Sequence, residues 1–243
     1  GMGAMVPPNK QGGLIMKKQR AVLARGQGRI VAITCLNRAS ENSKTGPMSQ
    51  LYMLTTLHPI ESQKTGAQKR VCGDCALLDG VCYVQRGKGS AALWKAIQGQ
   101  AVEQVPDLPY PVRLGADGDP AYCPPEIIQE IIEKAPGHTG YTHQWHQSAN
   151  LQGSCMASID GLTAKKRGIS AAKLRKQARG LGYRTFRVLG PGEKLLKDEI
   201  MCPNYTHGVQ CADCLLCSGK KGPEDRRKDI AIPGHGNGKG GLE

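Results

Sequence analysis

The chain has 243 residues, with 33 Lys and Arg against 20 Asp and Glu, 10 Cys, and only 2 Trp, 7 Tyr and 1 Phe. This length fits one medium domain or two small ones, and it excludes a mini-protein that depends on disulfides alone. No run of 18 apolar residues occurs and the opening segment lacks the apolar core of a signal peptide, so we expect a cytoplasmic protein without a membrane span.

The chain divides into two parts by composition. Residues 1–28 are rich in Gly, Lys and Gln with little apolar periodicity, which predicts a flexible basic arm. Residues 29–243 are predicted to form a single α/β domain with a Cys-rich insertion at 198–228. Apolar runs predict strands at 29–36, 111–115, 139–145, 154–159, 183–189 and 229–232, with a further apolar run at 51–57. Helical spacing of apolar residues predicts helices at 126–135 and 170–181.

Strands separated by helices or by helix-length connections indicate right-handed crossovers and a largely parallel sheet. About six strands are typical either of a partial (β/α)6-type barrel or of an open, mostly parallel sheet. In both folds the chemistry gathers where the strands end. The polar residues that follow the predicted strands are Asp117, Asp119, His143, His146, Ser158, Asp160, Arg187 and His235.

Four of these residues are candidates for acid/base catalysis. Asp117 or Asp119 is the predicted acid or base, and His143 or His146 is its partner, because proton transfer needs neighbouring groups that titrate near neutrality. Each also has a structural interpretation. Asp119 with Pro120 is a common turn pair, and His143 is equally typical of a core imidazole.

Basic residues are concentrated in two segments. Residues 1–40 carry seven and residues 161–192 carry nine, and neither segment contains an acidic residue. On the predicted helix at 170–181, the apolar spacing leaves four cations outside: Lys173, Arg175, Lys176 and Arg179. Such clustering favours a nucleic-acid partner, because each neutralised phosphate releases a counterion. The alternative is a solvated face that only keeps the protein in solution.

The second of two cysteine groups has the more specific spacing. Cys211, Cys214 and Cys217 follow each other at C-x2-C-x2-C, and Cys202 with its trailing proline supplies a fourth thiol. This run is typical of a 4Fe-4S iron–sulfur cluster. Structural zinc, which usually joins two separate knuckles, is the alternative. Ten cysteines in a reducing compartment are in any case more typical of metal ligands, reactive thiols or buried residues than of disulfides.

The first group, Cys72-x2-Cys75-x6-Cys82, has only three closely spaced cysteines. Three thiolates leave one iron of a cluster open for a substrate or cofactor. A fourth ligand from Cys35, Cys123 or Cys155 would instead close a zinc or iron–sulfur site. If those three cysteines are simply buried, as free cysteines often are, the three-thiolate interpretation holds.

Three motifs carry a resemblance that covers roughly residues 44–236: Cys82-Tyr83, Gly118-Asp119-Pro120, and the stretch from Tyr141 to Trp145 (YTHQW). In these the chain resembles a group of uncharacterised cysteine-rich proteins of tailed phages and prophages. More distantly it resembles the radical S-adenosylmethionine enzymes, although their usual loop is C-x3-C-x2-C. That likeness implies a partial barrel, a cluster held by the first cysteine group, and a 5′-deoxyadenosyl radical made from S-adenosylmethionine.

By matching position, the second resemblance implies that Gly118 and Asp119 face the cofactor's amino group. Ser158, at a neighbouring rim position, is a further cofactor-binding candidate. The leading prediction is an iron–sulfur α/β-barrel enzyme of phage type, in the host cytoplasm, that modifies a nucleic acid or nucleotide. One alternative is a non-catalytic, metal-stabilised nucleic-acid-binding or host-takeover protein. The other is a base-exchanging, transglycosylase-like enzyme with structural zinc.

Overall fold

The computed structural model describes residues 19–147 and 149–234. Its nine strands are β1 (Arg20–Gly26), β2 (Arg29–Thr34), β3 (Ser49–Thr55), β4 (Val112–Asp117), β5 (His138–Thr142), β6 (Met156–Ile159), β7 (Thr185–Leu189), β8 (Glu199–Met201) and β9 (Asp229–Pro233). Its eight α-helices are α1 (Pro59–Lys64), α2 (Lys69–Cys72), α3 (Gly89–Ala96), α4 (Pro125–Lys134), α5 (Gly161–Lys166), α6 (Ala171–Gly180), α7 (Pro203–His207) and α8 (Cys211–Cys214). Three short 3-10 turns lie at Ala76–Asp79, Pro120–Tyr122 and Ala149–Leu151.

All nine strands belong to one open sheet in the order β1-β2-β3-β4-β5-β6-β7-β9-β8. The first three strands form an antiparallel meander, and every pairing from β3 onward is parallel. From β3 to β7 the strand order follows the chain without a reversal. Helices α4 and α6 pack on one face of the sheet, and α3 packs on the other face, where Leu93 clusters with Ile30 and Ala32 of β2. The structure confirms the predicted α/β class with an open, mostly parallel sheet.

The first strand corrects the predicted extent of the basic arm. Residues 20–26 form β1, which buries Ala21, Val22 and Leu23 and pairs with β2. The turn between the strands is Gln27-Gly28, where both residues have positive φ angles, as the tight hairpin turn requires. Residues 1–18 of the arm lie outside the described residues, as does His235.

The main hydrophobic core lies between the sheet and the helices. Helix α4 contributes Ile128 and Ile131, and α6 contributes Leu174 and Ala178. The Ser170 side chain caps α6 by accepting a hydrogen bond from the backbone N–H of Lys173 at 3.2 Å. Both helices were predicted from apolar spacing, and both are present. No helix in the two described ranges is long and apolar enough to span a bilayer.

All ten cysteines are free thiols. Cys35, Cys123 and Cys155 are buried, and Cys123 and Cys155 belong to the main hydrophobic core. Burial raises the pKa of the Cys123 thiol to about 12, so this group stays protonated at neutral pH. These two cysteines therefore behave as small core residues, as one interpretation of the sequence predicted.

Candidate functional site

A cavity of about 390 Å³ lies against one face of the parallel strands. Side chains at alternating strand positions form its floor, because successive residues of a strand point to opposite faces. The floor residues are Arg113 on β4, Thr139 and Tyr141 on β5, Ser158 on β6, Phe186 and Val188 on β7, and Ile232 on β9. The lining is mostly apolar and aromatic, as is usual for small-molecule sites.

The walls of the cavity come from both cysteine-rich parts of the chain. Leu77, Val81 and Tyr83, from the segment of the first cysteine group, line one part of it. The second group lines another part, with all four of its cysteines: Cys202, Cys211, Cys214 and Cys217. The sheet thus places a half-open cavity against the second cysteine group and against the segment that carries the first group, more than 100 residues earlier in the sequence.

Two kinds of contact hold the second cysteine segment over the sheet. The buried Arg184 guanidinium donates to the backbone carbonyls of Leu216 at 2.7 Å and Ser218 at 2.9 Å. In the main chain, the N–H of Gly140 donates to the Cys217 carbonyl at 2.9 Å and the N–H of Cys211 donates to the Lys44 carbonyl at 3.2 Å. The segment is therefore braced by the sheet and by the loop at residues 42–46.

The thiols of the second group influence one another's ionisation. Burial and the nearby Cys202, Cys211 and Cys214 together raise the pKa of Cys217 to about 12. The Tyr141 side chain, which hydrogen-bonds to the Cys217 sulfur, acts in the opposite direction. The Cys217 thiol is therefore protonated at neutral pH.

The first cysteine group surrounds a buried arginine. Arg86 donates from Nη2 to the Cys82 sulfur at 3.6 Å, and its guanidinium is also close enough to Cys72 to lower the pKa of that thiol. Burial nevertheless raises the pKa of Cys72 to about 12. Nη1 of Arg86 is buried and has no hydrogen-bond partner among the described residues. This cation offers unused donor capacity directly beside two thiols.

Asp117 is the counter-ion of that arginine. Its Oδ1 lies 3.3 Å from Nε of Arg86, and its Oδ2 accepts from the Ser90 hydroxyl at 2.7 Å. Burial raises the pKa of Asp117 above its ordinary value, although Arg86 and Ser90 favour the carboxylate. Asp117 is 1% exposed and does not line the cavity. The structure therefore places it behind the first cysteine group rather than at a rim facing a substrate.

Asp119 has the structural role that its turn pairing with Pro120 indicated. Its Oδ1 accepts from the backbone N–H of Ala121 at 3.0 Å and from the Thr142 hydroxyl at 2.7 Å. Its Oδ2 accepts from the backbone N–H of His143 at 2.6 Å. The carboxylate is 5% exposed and does not line the cavity. Asp119 thus ties the end of β4 to the end of β5.

Replacing Asp119 with Asn is expected to lower the free energy of unfolding by about 1–3 kcal/mol, because a buried donor loses its charged acceptor. Urea denaturation checks this result. Asp107→Asn, on an exposed aspartate in the loop before β4, is the matched control and should leave the denaturation midpoint unchanged. An Asp119→Asn variant as stable as the parent would contradict the structural role of these hydrogen bonds.

The two candidate histidines differ in surroundings. His143 lines the cavity, and its ring hydrogen-bonds to the Cys75 thiol. Burial alone would lower the pKa of His143, but Cys75, Asp119 and Asp160 together raise it to about 10. His143 is therefore an imidazolium at neutral pH, and it does not titrate near neutrality as the sequence predicted.

His146 lies outside the cavity. Its Nε2 is 3.4 Å from Asp74 Oδ2, and its Nδ1 is 2.9 Å from Nη2 of Arg167. Burial and Arg167 lower the pKa of His146 below its ordinary value. The structure does not bring the two histidines together on one reacting group, so the predicted pairing of His146 with Asp117 or Asp119 is not observed.

Of the three predicted cofactor-binding residues, one lines the cavity and the other two do not. Ser158 lines the cavity. Gly118 has φ of +83°, and a Cβ built on it would lie 2.3 Å from the Met53 carbonyl oxygen, so the close approach of β3 accounts for this glycine. The Gly118-Asp119 pair therefore has a packing explanation independent of any ligand.

The basic helix α6 is less exposed than its sequence predicted. Arg175 was expected on the outer face, but it is 8% exposed, with Nη2 at 2.7 Å from Asp229 Oδ2 and Nε at 3.3 Å from Glu199 Oε1. Arg179 remains exposed and lies 3.7 Å from Asp198. Lys173 and Lys176 are exposed and free of such pairing among the described residues. The expected four-cation face is thus reduced to these two lysines and the partly neutralised Arg179.

Arg113 and Arg86 are functional candidates that the sequence did not single out, and Tyr83 was noted only as the residue after Cys82. Nη2 of Arg113 donates to the Tyr83 hydroxyl at 2.5 Å, and both residues line the cavity. A single arginine in the predicted strand at 111–115 was a weak signal. Only the alternation of side chains along the strand could have indicated that Arg113 lies on the face of the sheet that forms the cavity floor.

In the ranges that the structure describes, no group of three or more His, Cys, Asp or Glu side chains is arranged to hold a metal ion. The Cys-rich metal-binding loops therefore remain a prediction. No family model, curated protein or solved structure matches the chain.

Proposed function

We propose that the chain is an iron–sulfur enzyme that acts on a nucleotide or nucleic acid in the cavity between its two cysteine groups. The observation that carries this proposal is the shared cavity. Four thiols of the second group line it directly, and the segment of the first group forms part of its wall. The radical S-adenosylmethionine-like chemistry implied by the first cysteine group belongs to the same proposal.

The donor set of the second group fits an iron–sulfur cluster. It consists of four free thiols and no carboxylate, and soft thiolates are the ligands that such clusters use. Cys202, Cys211, Cys214 and Cys217 would hold it. Because the present arrangement holds no single ion, closure around a cluster requires the loop to rearrange. The C-x2-C-x2-C spacing favours iron–sulfur over zinc here, as zinc needs no third cysteine at that step.

The first group fits a cluster that has one iron not bound by the protein. Cys72, Cys75 and Cys82 would be its ligands, and Cys72 packs against the same core as Cys123 and Cys155. The buried Arg86, with an unpartnered donor, supplies positive charge beside the thiolates. Such a cluster supplies one-electron chemistry at its open iron, where S-adenosylmethionine is the co-substrate that the resemblance implies.

The residues of the chain have separate tasks in this proposal. His143, held by Cys75 and Asp119, carries a positive charge at the boundary between the first cysteine group and the cavity. Tyr141 and Phe186, with ring centroids 4.5 Å apart, offer aromatic surface to a bound base. The apolar residues of the walls exclude water. Asp117 and Asp119 fix Arg86 and the β4–β5 connection, and they are no longer proposed as the acid or base.

A nucleic acid is the second form of substrate that the surface supports. Lys173 and Lys176 on α6, with Lys165 and Lys166 on α5, are exposed in one basic part of the chain. Contacts to phosphate by such lysines give affinity without sequence preference. The same surface also supports the second candidate, a non-catalytic nucleic-acid-binding protein in which the cysteine groups only stabilise the fold.

Anaerobic purification followed by iron, sulfide and zinc analysis separates these proposals. We expect a brown protein that contains iron and acid-labile sulfide in equal amounts. A colourless protein with stoichiometric zinc would contradict the iron–sulfur enzyme and favour a structural role for both cysteine groups. A protein that binds neither metal after reconstitution would contradict both.

A further inference from the structure

The cavity contains a cation that no carboxylate neutralises. Arg113 lines the cavity and is only partly exposed. Among the described residues no Asp or Glu oxygen lies within 4.0 Å of its guanidinium, and the side-chain hydrogen bond that it makes is to the Tyr83 hydroxyl, at 2.5 Å. Arg187, on the opposite face of the same sheet, is paired with Glu193 and Glu199. Arg113 therefore differs from the structural arginines of this fold.

The other charged groups that line the cavity do not act as a counter-ion for Arg113. Asp160 lines the cavity, but its two oxygens accept from the backbone N–H and the hydroxyl of Thr163 at 2.7 and 2.8 Å. His143 and Lys44 add positive charge, and the thiols of the second group include Cys211 near Arg113. A charge in a largely apolar cavity is costly unless it is paired. An anionic ligand group would supply that pairing.

The volume of the cavity and its aromatic lining limit the class of ligand that it can bind. A volume of about 390 Å³ is near the lower end of small-molecule sites and accommodates one nucleotide rather than a polymer. Tyr141 lies on β5, next to β4, and Phe186 lies on β7, two strands further along the sheet. Their ring centroids are 4.5 Å apart, and both rings line the cavity and present surface for stacking. Guanidinium binds phosphate and carboxylate through two parallel hydrogen bonds.

We infer that the cavity binds a small planar organic anion of the mononucleotide class, with its phosphate on Arg113 and its base against Tyr141 and Phe186. This inference rests on the proposed function in taking the cavity as the substrate site. It extends that proposal because it assigns a single nucleotide to the cavity. A nucleic acid would then place only one exposed nucleotide in it.

Isothermal titration of the anaerobically reconstituted full chain with AMP, GMP, CMP and UMP tests the inference. We expect at least one of them to bind, and Arg113→Gln to weaken its binding about tenfold or more. Arg113→Lys, which keeps the charge but loses the two-pronged geometry, should lose less. Lys95→Ala, on an exposed cation of α3 outside the cavity, is the matched control and should bind as the parent does. The matching nucleoside and inorganic phosphate should each bind more weakly than the nucleotide.

Iron content measured on the same samples separates this inference from the proposed function. Nucleotide binding through Arg113 in a chain that takes up no iron would support the inference and contradict the iron–sulfur enzyme alone. Two results would overturn the inference: no binding of any of the four nucleotides, or unchanged binding by both Arg113 variants. If Arg113→Gln lowers the iron content but not nucleotide affinity, Arg113 balances the thiolates of the second group and the inference is wrong.

Discussion

Replacing Cys211 and Cys217 together with alanine is expected to remove about half of the iron and acid-labile sulfide from the reconstituted protein. The two remaining thiols of the second group, Cys202 and Cys214, cannot retain a cluster. The first group is untouched, because it lies in a different segment of the cavity wall. Iron and sulfide analysis measures the loss, and the visible absorption of the cluster should fall in proportion.

The chain provides a matched control for this experiment. Cys123→Ala with Cys155→Ala also removes two buried thiols, but from the hydrophobic core. That variant should keep its full iron and sulfide content, although truncation of core side chains lowers its stability. Equal loss of iron from both double variants would show that iron content follows the general stability of the chain. Retention of all iron by the first variant would remove the second group from the metal-binding set.

Replacing Arg187 with Met is expected to lower the free energy of unfolding by about 1–3 kcal/mol, because the buried Glu199 carboxylate loses two charged hydrogen bonds while it keeps Arg175 and the Leu196 N–H as partners. The Arg187 side chain donates from Nε and Nη2 to the two Glu199 oxygens at 2.9 and 2.7 Å, and from Nη2 to the Lys194 carbonyl at 2.8 Å. The Glu199 carboxylate is itself fully buried. Urea denaturation at neutral pH measures the effect.

The pH dependence of this variant identifies the cause. Burial alone would raise the pKa of Glu199, but the hydrogen bonds from Arg187 and the Leu196 N–H hold it below 4.5. A lowered pKa of an acid gives stability that is present above about pH 4.5 and is lost as the pH falls through the lowered value. The difference between parent and Arg187→Met should therefore shrink as the pH falls below about 4.5 and through the lowered pKa of Glu199. A constant difference would mean that lost packing, not the ion pair, causes the instability.

The strands and long helices were predictable because their signals are local. The buried run before Asn37, the Ile repeat of α4 and the cap of α6 each lie within about a dozen residues of sequence. Strand β8 was missed because it has only three residues, 199–201, and depends on β9 for its pairing. Strand β1 was missed because the basic composition of the arm concealed the apolar stretch from Ala21 to Ala24.

The parts of the site that could not be predicted depend on distant contacts. Helical spacing leaves Arg175 outside the apolar stripe, but Asp229 and Glu199 from two strands bury it. The sequence places Asp119 at a rim, and only the backbone of β5 shows that its oxygens are already occupied. The cavity itself forms because the second cysteine segment packs on the loop at residues 42–46, some 160 residues earlier. The two cysteine groups were apparent from their spacing, whereas their position at one cavity was not.

Anomalous diffraction at the iron absorption edge, from crystals of the reconstituted protein, shows both whether iron is bound and where it lies. Our account predicts two separate iron peaks, one next to Cys72, Cys75 and Cys82 and the other at the cavity, next to Cys202, Cys211, Cys214 and Cys217. Anomalous density at the zinc edge alone, or iron at a position remote from both sets of sulfurs, would contradict it.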